Sequence, residues 1–153
     1  MEVKAPSPIS TNTSARSLFL AGTIDMGNSK DWQAEAVAEL SDHFVIIFNP
    51  RRDAWDSSWE QHPSNEQFNE QVNWELDRLE QSSHVLFNFE PNSKSPITLM
   101  ELGERLASRG RQVLVVVCSE KFYRYGNVAI ICERYGVPVF DNLAEAYQIL
   151  KEC

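Results

Sequence analysis

Val113-Leu114-Val115-Val116-Val117 runs five residues without a polar interruption, and a strand lacking polar alternation is one covered on both faces. Such a strand sits inside a parallel sheet with helices above and below it. Reading outward, strand-length apolar runs recur at residues 18–21, 44–48, 85–89 and 137–140. Helical stretches separate them, at residues 30–42, 65–81, 96–109, 125–135 and 143–151. Strands that alternate with helices in this way form βαβ crossovers. The expected fold is α/β: a flavodoxin-like (Rossmann-like) three-layer α/β/α domain around a five-stranded parallel sheet in the order 2-1-3-4-5. Its ligand crevice is expected at the carboxyl ends of strands one and three.

The chain has 153 residues, enough for one domain with a single core. Residues 1–15 are rich in Ser, Thr and Pro without an apolar centre, which predicts a mobile tail rather than a signal peptide, and leaves 16–153 as the domain. Lys and Arg number 14 against 22 Asp and Glu, a formal charge of −8. That balance argues against a nucleic acid polymer or an anionic membrane as partner, and no run is long enough to span a bilayer. Cys118, Cys132 and Cys153 are widely spaced and form no CxxC, so they read as thiols of a reducing, cytoplasmic setting rather than as a disulfide framework or zinc site. His43, His62 and His84 fall on three different elements and offer neither a metal cluster nor a Ser/His/Asp arrangement.

Chemistry concentrates in Ser95-Pro96-Ile97-Thr98-Leu99-Met100-Glu101-Leu102-Gly103. Ser95 is placed to cap a helix and Pro96 suits its first position, so the N–H groups of the first turn face the crevice and favour an anion. Glu101 lies a little over one turn in. On a helical wheel Leu99, Leu102, Gly103, Leu106 and Ala107 form the apolar arc, which leaves Glu101 on the polar arc. Two readings follow: a solvated acid paired with Arg105, or a carboxylate leaning back into the crevice, held ionised by the helix N-terminus.

Glu75, on the helix before the third strand, is likewise either a surface acid near Arg78 or a second crevice carboxylate. A converging pair could divide into an ionised nucleophile and a protonated acid. Residues 49–64 form a long connection carrying Arg51, Arg52, Trp55 and Trp59, a candidate lid. Its tryptophans read either as a base-stacking surface or as a small packing cluster, and its arginines either as anion ligands or as partners of Asp53 and Asp56. Gly22-Thr23-Ile24-Asp25-Met26-Gly27 lets backbone approach a ligand but lacks the spacing of a GxGxxG or a P-loop.

Taken together and in order, Phe19-Leu20-Ala21-Gly22, Asn49-Pro50-Arg51-Arg52, the Trp74-Glu75 helix, Ser95-Pro96-Ile97 and Leu99-Met100-Glu101-Leu102-Gly103 resemble the nucleoside 2-deoxyribosyltransferase superfamily. The likeness is greatest to its nucleoside 2-deoxyribosyltransferase-like branch and covers roughly residues 17–140. It implies cleavage or transfer at the N-glycosidic bond of a 2′-deoxynucleoside, with Glu101 as nucleophile and Glu75 as the acidic residue near the base or sugar. It further implies a nucleoside or nucleotide as partner, no cofactor, and a homodimer or higher homo-oligomer in which a neighbour's Asn127 reaches the sugar. Gly22, Thr23, Asp25, Arg51, Trp55, Ser95 and Asn127 are the expected substrate-binding residues.

Three positions depart from the family pattern. The first-strand tyrosine is Phe19, the aspartate six residues before the nucleophile is Ser95, and the first-loop arginine of the related deoxynucleotide N-hydrolases is Asp25. A serine at position 95 resembles those hydrolases, in which it contacts a 5′-phosphate. The alternatives are therefore a 2′-deoxynucleoside 5′-monophosphate N-glycosidase and a non-catalytic nucleoside- or nucleotide-binding module.

Overall fold

In the computed structural model, residues 1–8, 15–22, 30–53 and 55–153 are described. The five expected strands are β2 (Ser17–Gly22), β3 (Ile46–Asn49), β4 (His84–Phe89), β5 (Val113–Cys118) and β6 (Val139–Phe140). Between them lie α1 (Trp32–Leu40), α2 (Glu66–Gln81), α3 (Pro96–Ser108), α4 (Tyr125–Arg134) and, after the last strand, α5 (Leu143–Glu152). A short strand, β1 (Glu2–Lys4), precedes them all.

Every strand pairing is parallel, and the sheet order is β1-β3-β2-β4-β5-β6. The expected five-strand order is thus present, with a sixth strand added at its edge. Successive side chains of a strand point to opposite faces, and the two faces are packed differently here. Phe19, Ala21, Val85, Phe87 and Val116 meet Trp74 and Leu79 of α2, Leu102 and Leu106 of α3, and Val128 of α4. Leu18, Leu20, Leu86, Val115 and Val117 meet Trp32 and Leu40 of α1, with Tyr147 and Leu150 of α5. This is the three-layer arrangement of a flavodoxin-like fold.

Of the segment 1–15 expected to be a mobile tail, residues 2–4 form a strand instead, while residues 9–14 lie outside the described residues. Val3 and Ala5 are buried in the core that holds Phe48 and Trp74, and the backbone completes the open edge of β3, with Ala5 N–H donating to the Asn49 carbonyl at 3.0 Å. An uncovered edge would leave those polar groups unpaired. Further on, the Trp74 indole N–H donates to the Ser7 carbonyl at 2.9 Å, so the segment also lies over α2.

Candidate active site

The carboxyl ends of β2 and β4 are adjacent, Gly22 pairing with Asn88 in the ladder. Above this end of the sheet is a cleft of about 210 Å³ walled by Phe19, Ala21 and Gly22 of β2, Pro50 after β3, Glu75 of α2, and Ser95 to Thr98 with Glu101 at the start of α3. The position is where open α/β sheets receive ligands. Gly22 is required there on steric grounds. A Cβ at this residue would fall 2.5 Å from Cζ2 of Trp32 and 2.7 Å from the Asn88 carbonyl oxygen. A larger hollow of about 550 Å³ lies at the start of α2, but its walls are all exposed residues such as Ser64, Glu66 and Gln67, and no buried charge converges on it.

Helix α3 is turned differently from the wheel drawn on its sequence. Thr98, Glu101, Leu102, Arg105 and Leu106 form its buried stripe, while Ala107 is exposed. Glu101 is only 8% exposed, and Arg105, the expected partner, instead pairs with Glu104 and Glu80. The solvated reading of Glu101 is therefore overturned. Among the described residues, no hydrogen bond reaches its carboxyl group. Burial pushes Glu101 up from the usual 4.5 to about 8, with the charges of Glu75 and then Glu104 adding to the rise.

This also corrects the expectation that the helix N-terminus holds Glu101 ionised. The rise corresponds to roughly 4–5 kcal/mol against the charged form, whereas a helix terminus supplies about 0.3–1 kcal/mol and at most about 2 kcal/mol. Desolvation and the neighbouring acid win.

Glu75 is drawn into the same cleft rather than paired with Arg78, whose guanidinium bonds Gln81 and lies over the Phe48 ring. The residue keeps some surface, but its carboxyl group is deep, and burial raises it to about 7. Opposing that rise, Gln71 Nε2 donates to Glu75 Oε1 at 2.8 Å. The same nitrogen donates to the Pro50 carbonyl at 2.9 Å. The sequence offered one signal for Gln71, its position four residues before Glu75 on one helix face.

Ser95 does not cap α3 through its side chain. It adopts the left-handed conformation, φ 46°, outside the extended region that capping geometry requires. For a residue other than glycine this costs on the order of 1–3 kcal/mol, a strain found mostly at functional sites. The Ser93 hydroxyl donates to the Glu90 carbonyl at 2.8 Å and also lies 2.8 Å from the Ser95 hydroxyl, a contact in which either oxygen can be the donor. Pro96 occupies the start of the helix as expected.

The remaining expected site residues divide. Gly22 and Ser95 line the cleft with both glutamates, while Thr23 and Asp25 lie outside the described residues. Arg51 turns to the start of α1, 3.3 Å from Gln33 Oε1 and 3.8 Å from Asp31. Trp55 is absent from the cleft wall and packs edge-on against Trp59, ring centroids 5.0 Å apart. Arg52 lies over the Trp59 ring and pairs with Glu70 of α2 at 3.1 Å. Asp53 pairs with Lys4, so the expected pairing of the arginines with Asp53 and Asp56 is replaced by other acids. Asn127 is exposed, in a separate groove between α3 and α4 lined by Leu99, Leu102 and Gly103.

Among the described residues no three His, Cys, Asp or Glu side chains are grouped to hold a metal ion, and no helix is long and apolar enough to cross a membrane. Residues 15–122, well over half of the chain, match the family model described as "Nucleoside 2-deoxyribosyltransferase like". The protein belongs to that family. No match is found among curated proteins.

Proposed function

We propose that the protein cleaves or transfers at the N-glycosidic bond of a 2′-deoxynucleoside, with Glu101 as nucleophile and Glu75 as its acid–base partner. The observation that carries this reading is the convergence of two buried carboxyl groups from different helices on one cleft at the carboxyl end of the sheet. Burying two acids in one cleft is costly, and such costs are kept mostly where a site uses them. The family supports a nucleoside substrate.

One proton shared between two carboxyls suits this chemistry. An ionised Glu101 oxygen forms a bond to C1′ of the sugar, and the C1′–N bond breaks with its electron pair passing to the base nitrogen. The base takes the pair's proton, delivered through Glu75. The resulting glycosyl ester is then resolved by a second base, in transfer, or by water, in hydrolysis. At about 210 Å³ the described cleft is below the roughly 300–1,000 Å³ of most small-molecule sites, a size that suits the sugar more than a whole nucleoside. A neighbouring subunit supplying Asn127, as the family likeness implies, would extend it.

The hydrolase reading rests on Ser95, which lines the cleft and would donate to a 5′-phosphate. Its hydroxyl lies 2.8 Å from that of Ser93. Incubating the protein with a panel of deoxynucleosides and their monophosphates, with and without a free acceptor base, separates the readings by chromatography. Base exchange marks a transferase, and free deoxyribose or its phosphate marks a hydrolase. Tight binding without base release marks a binding module.

A further inference from the structure

Gln71 is 6% exposed, and both of its amide contacts run from Nε2: one to the Pro50 carbonyl at 2.9 Å and one to Glu75 Oε1 at 2.8 Å. A carbonyl oxygen accepts only, so the Pro50 contact fixes which end of the amide faces the cleft wall. The reversed amide would set two oxygens against each other. The orientation leaves Gln71 Oε1 buried without a hydrogen-bond partner, an arrangement that a side chain serving only packing would avoid. Both amide hydrogens are thus directed to one task, and the second is spent on a carboxyl group of the cleft. Pro50 and Glu75 are themselves cleft walls.

We propose that Gln71 is a positioning residue: anchored by the Pro50 carbonyl, it presents a donor to Glu75 and so makes Glu75 the charged, and Glu101 the proton-bearing, member of the resting pair. The proposal rests on the reading of the pair as the reacting acids. A donor stabilises the ionised form of a carboxyl more than the protonated one, and Glu101 receives no hydrogen bond from a described residue. Among the described residues, the charges that bear on Glu101 are Glu75 across the cleft and Glu104 on its own helix, both acidic. For Glu75, among the described residues, burial and the Gln71 bond act and no charged group does. The Gln71 amide is thus the hydrogen bond from a described residue that sets the two acids apart, and the Glu104 charge beside Glu101 acts in the same direction. The resting site holds its proton on the nucleophile, and a substrate whose base draws that proton away through Glu75 frees Glu101 to attack. Until then Glu101 is held uncharged.

Titration of the protein labelled with ¹³C at the glutamate carboxyl carbons, followed by NMR, tests this without substrate. Glu75→Gln and Glu101→Gln assign the two raised signals. In the native chain Glu75 is expected to lose its proton first as the pH rises. In Gln71→Met, similar in volume and without a donor, Glu75 is expected to rise by roughly one to two pH units, with Glu101 falling below it. If Gln71→Met does not fold, Gln71→Asn serves, since its shorter amide cannot span Pro50 and Glu75 together, and the same direction is expected. The proposal is overturned if a folded variant leaves the order and positions of both titrations unchanged, or if Glu101 titrates before Glu75 in the native chain. Because no turnover is involved, a protein that releases no base yet shows the reversal sinks the proposed reaction alone.

Discussion

At the residue scale, Glu101 breaks the pattern that hydrophobic spacing predicts. The wheel puts it on the polar arc, with Leu99 and Ala107 on the inner one, whereas the buried stripe includes Thr98, Glu101 and Arg105 beside Leu102 and Leu106. Sequence periodicity fails where a buried polar group is kept for a reason other than stability, and such positions are expected to be functional. The burial has a measurable cost. Glu75 and Glu101 both titrate above the ordinary value in the folded chain, at about 7 and about 8. A raised carboxyl contributes stability fully below the unfolded value and loses it as the pH climbs through the folded value. Stability is therefore expected to fall between about pH 4.5 and 8. Glu101→Gln, which cannot ionise, is expected to flatten that fall and to be more stable than the native chain at alkaline pH by roughly 2–4 kcal/mol. Thermal melts across the range check this, and a variant that is less stable at every pH would refute it.

At the scale of elements, the connection of residues 50–64 was legible as unusual but not in its use. Length and two tryptophans pointed to a lid over the cleft, whereas the Trp55–Trp59 pair, the Arg52 guanidinium over Trp59 and the Arg52–Glu70 ion pair fasten this segment to α2. Aromatic rings serve packing and stacking alike, and only contacts tell the two apart. Trp55→Ala or Trp59→Ala is expected to lower stability by roughly 1–3 kcal/mol, for half-buried rings in mutual contact, while leaving nucleoside affinity within about two-fold. Paired melting and binding titrations decide it, and a tryptophan whose loss spares the melt but weakens binding would restore the lid. Helix α3 illustrates the opposite case. Pro96 fixed its start in the sequence as it does in the structure, because proline at the first turn acts through local geometry alone.

At the scale of the whole molecule, the continuous run at 113–117 and its four companions were enough for the sheet order, since apolar strands joined by helices leave few ways to close. β1 was missed because three residues carry too little alternation to stand out. What holds it is non-local, the bare edge of β3 and the cover over Trp74. Assembly lies at this scale too. Asn127 is exposed away from its own cleft, in a groove beside the exposed Ile130, so any part it has in catalysis is expected to be played on a second copy. Mixing Glu101→Ala with Asn127→Ala chains, each inactive alone, is then expected to restore part of the activity through hybrid sites that hold both native residues. An active protein that sediments as a monomer would remove Asn127 from the site.

If Glu101 is the nucleophile proposed at C1′, the rate of base release by the native chain and by Glu101→Gln on the same deoxynucleoside and deoxynucleotide panel reads its role directly. Release by the native protein is expected, with a loss of roughly 10³-fold or more in the variant, whose fold stays intact. Base release that persists at a comparable rate in folded Glu101→Gln, or a native protein that releases none from any member of the panel, would contradict it.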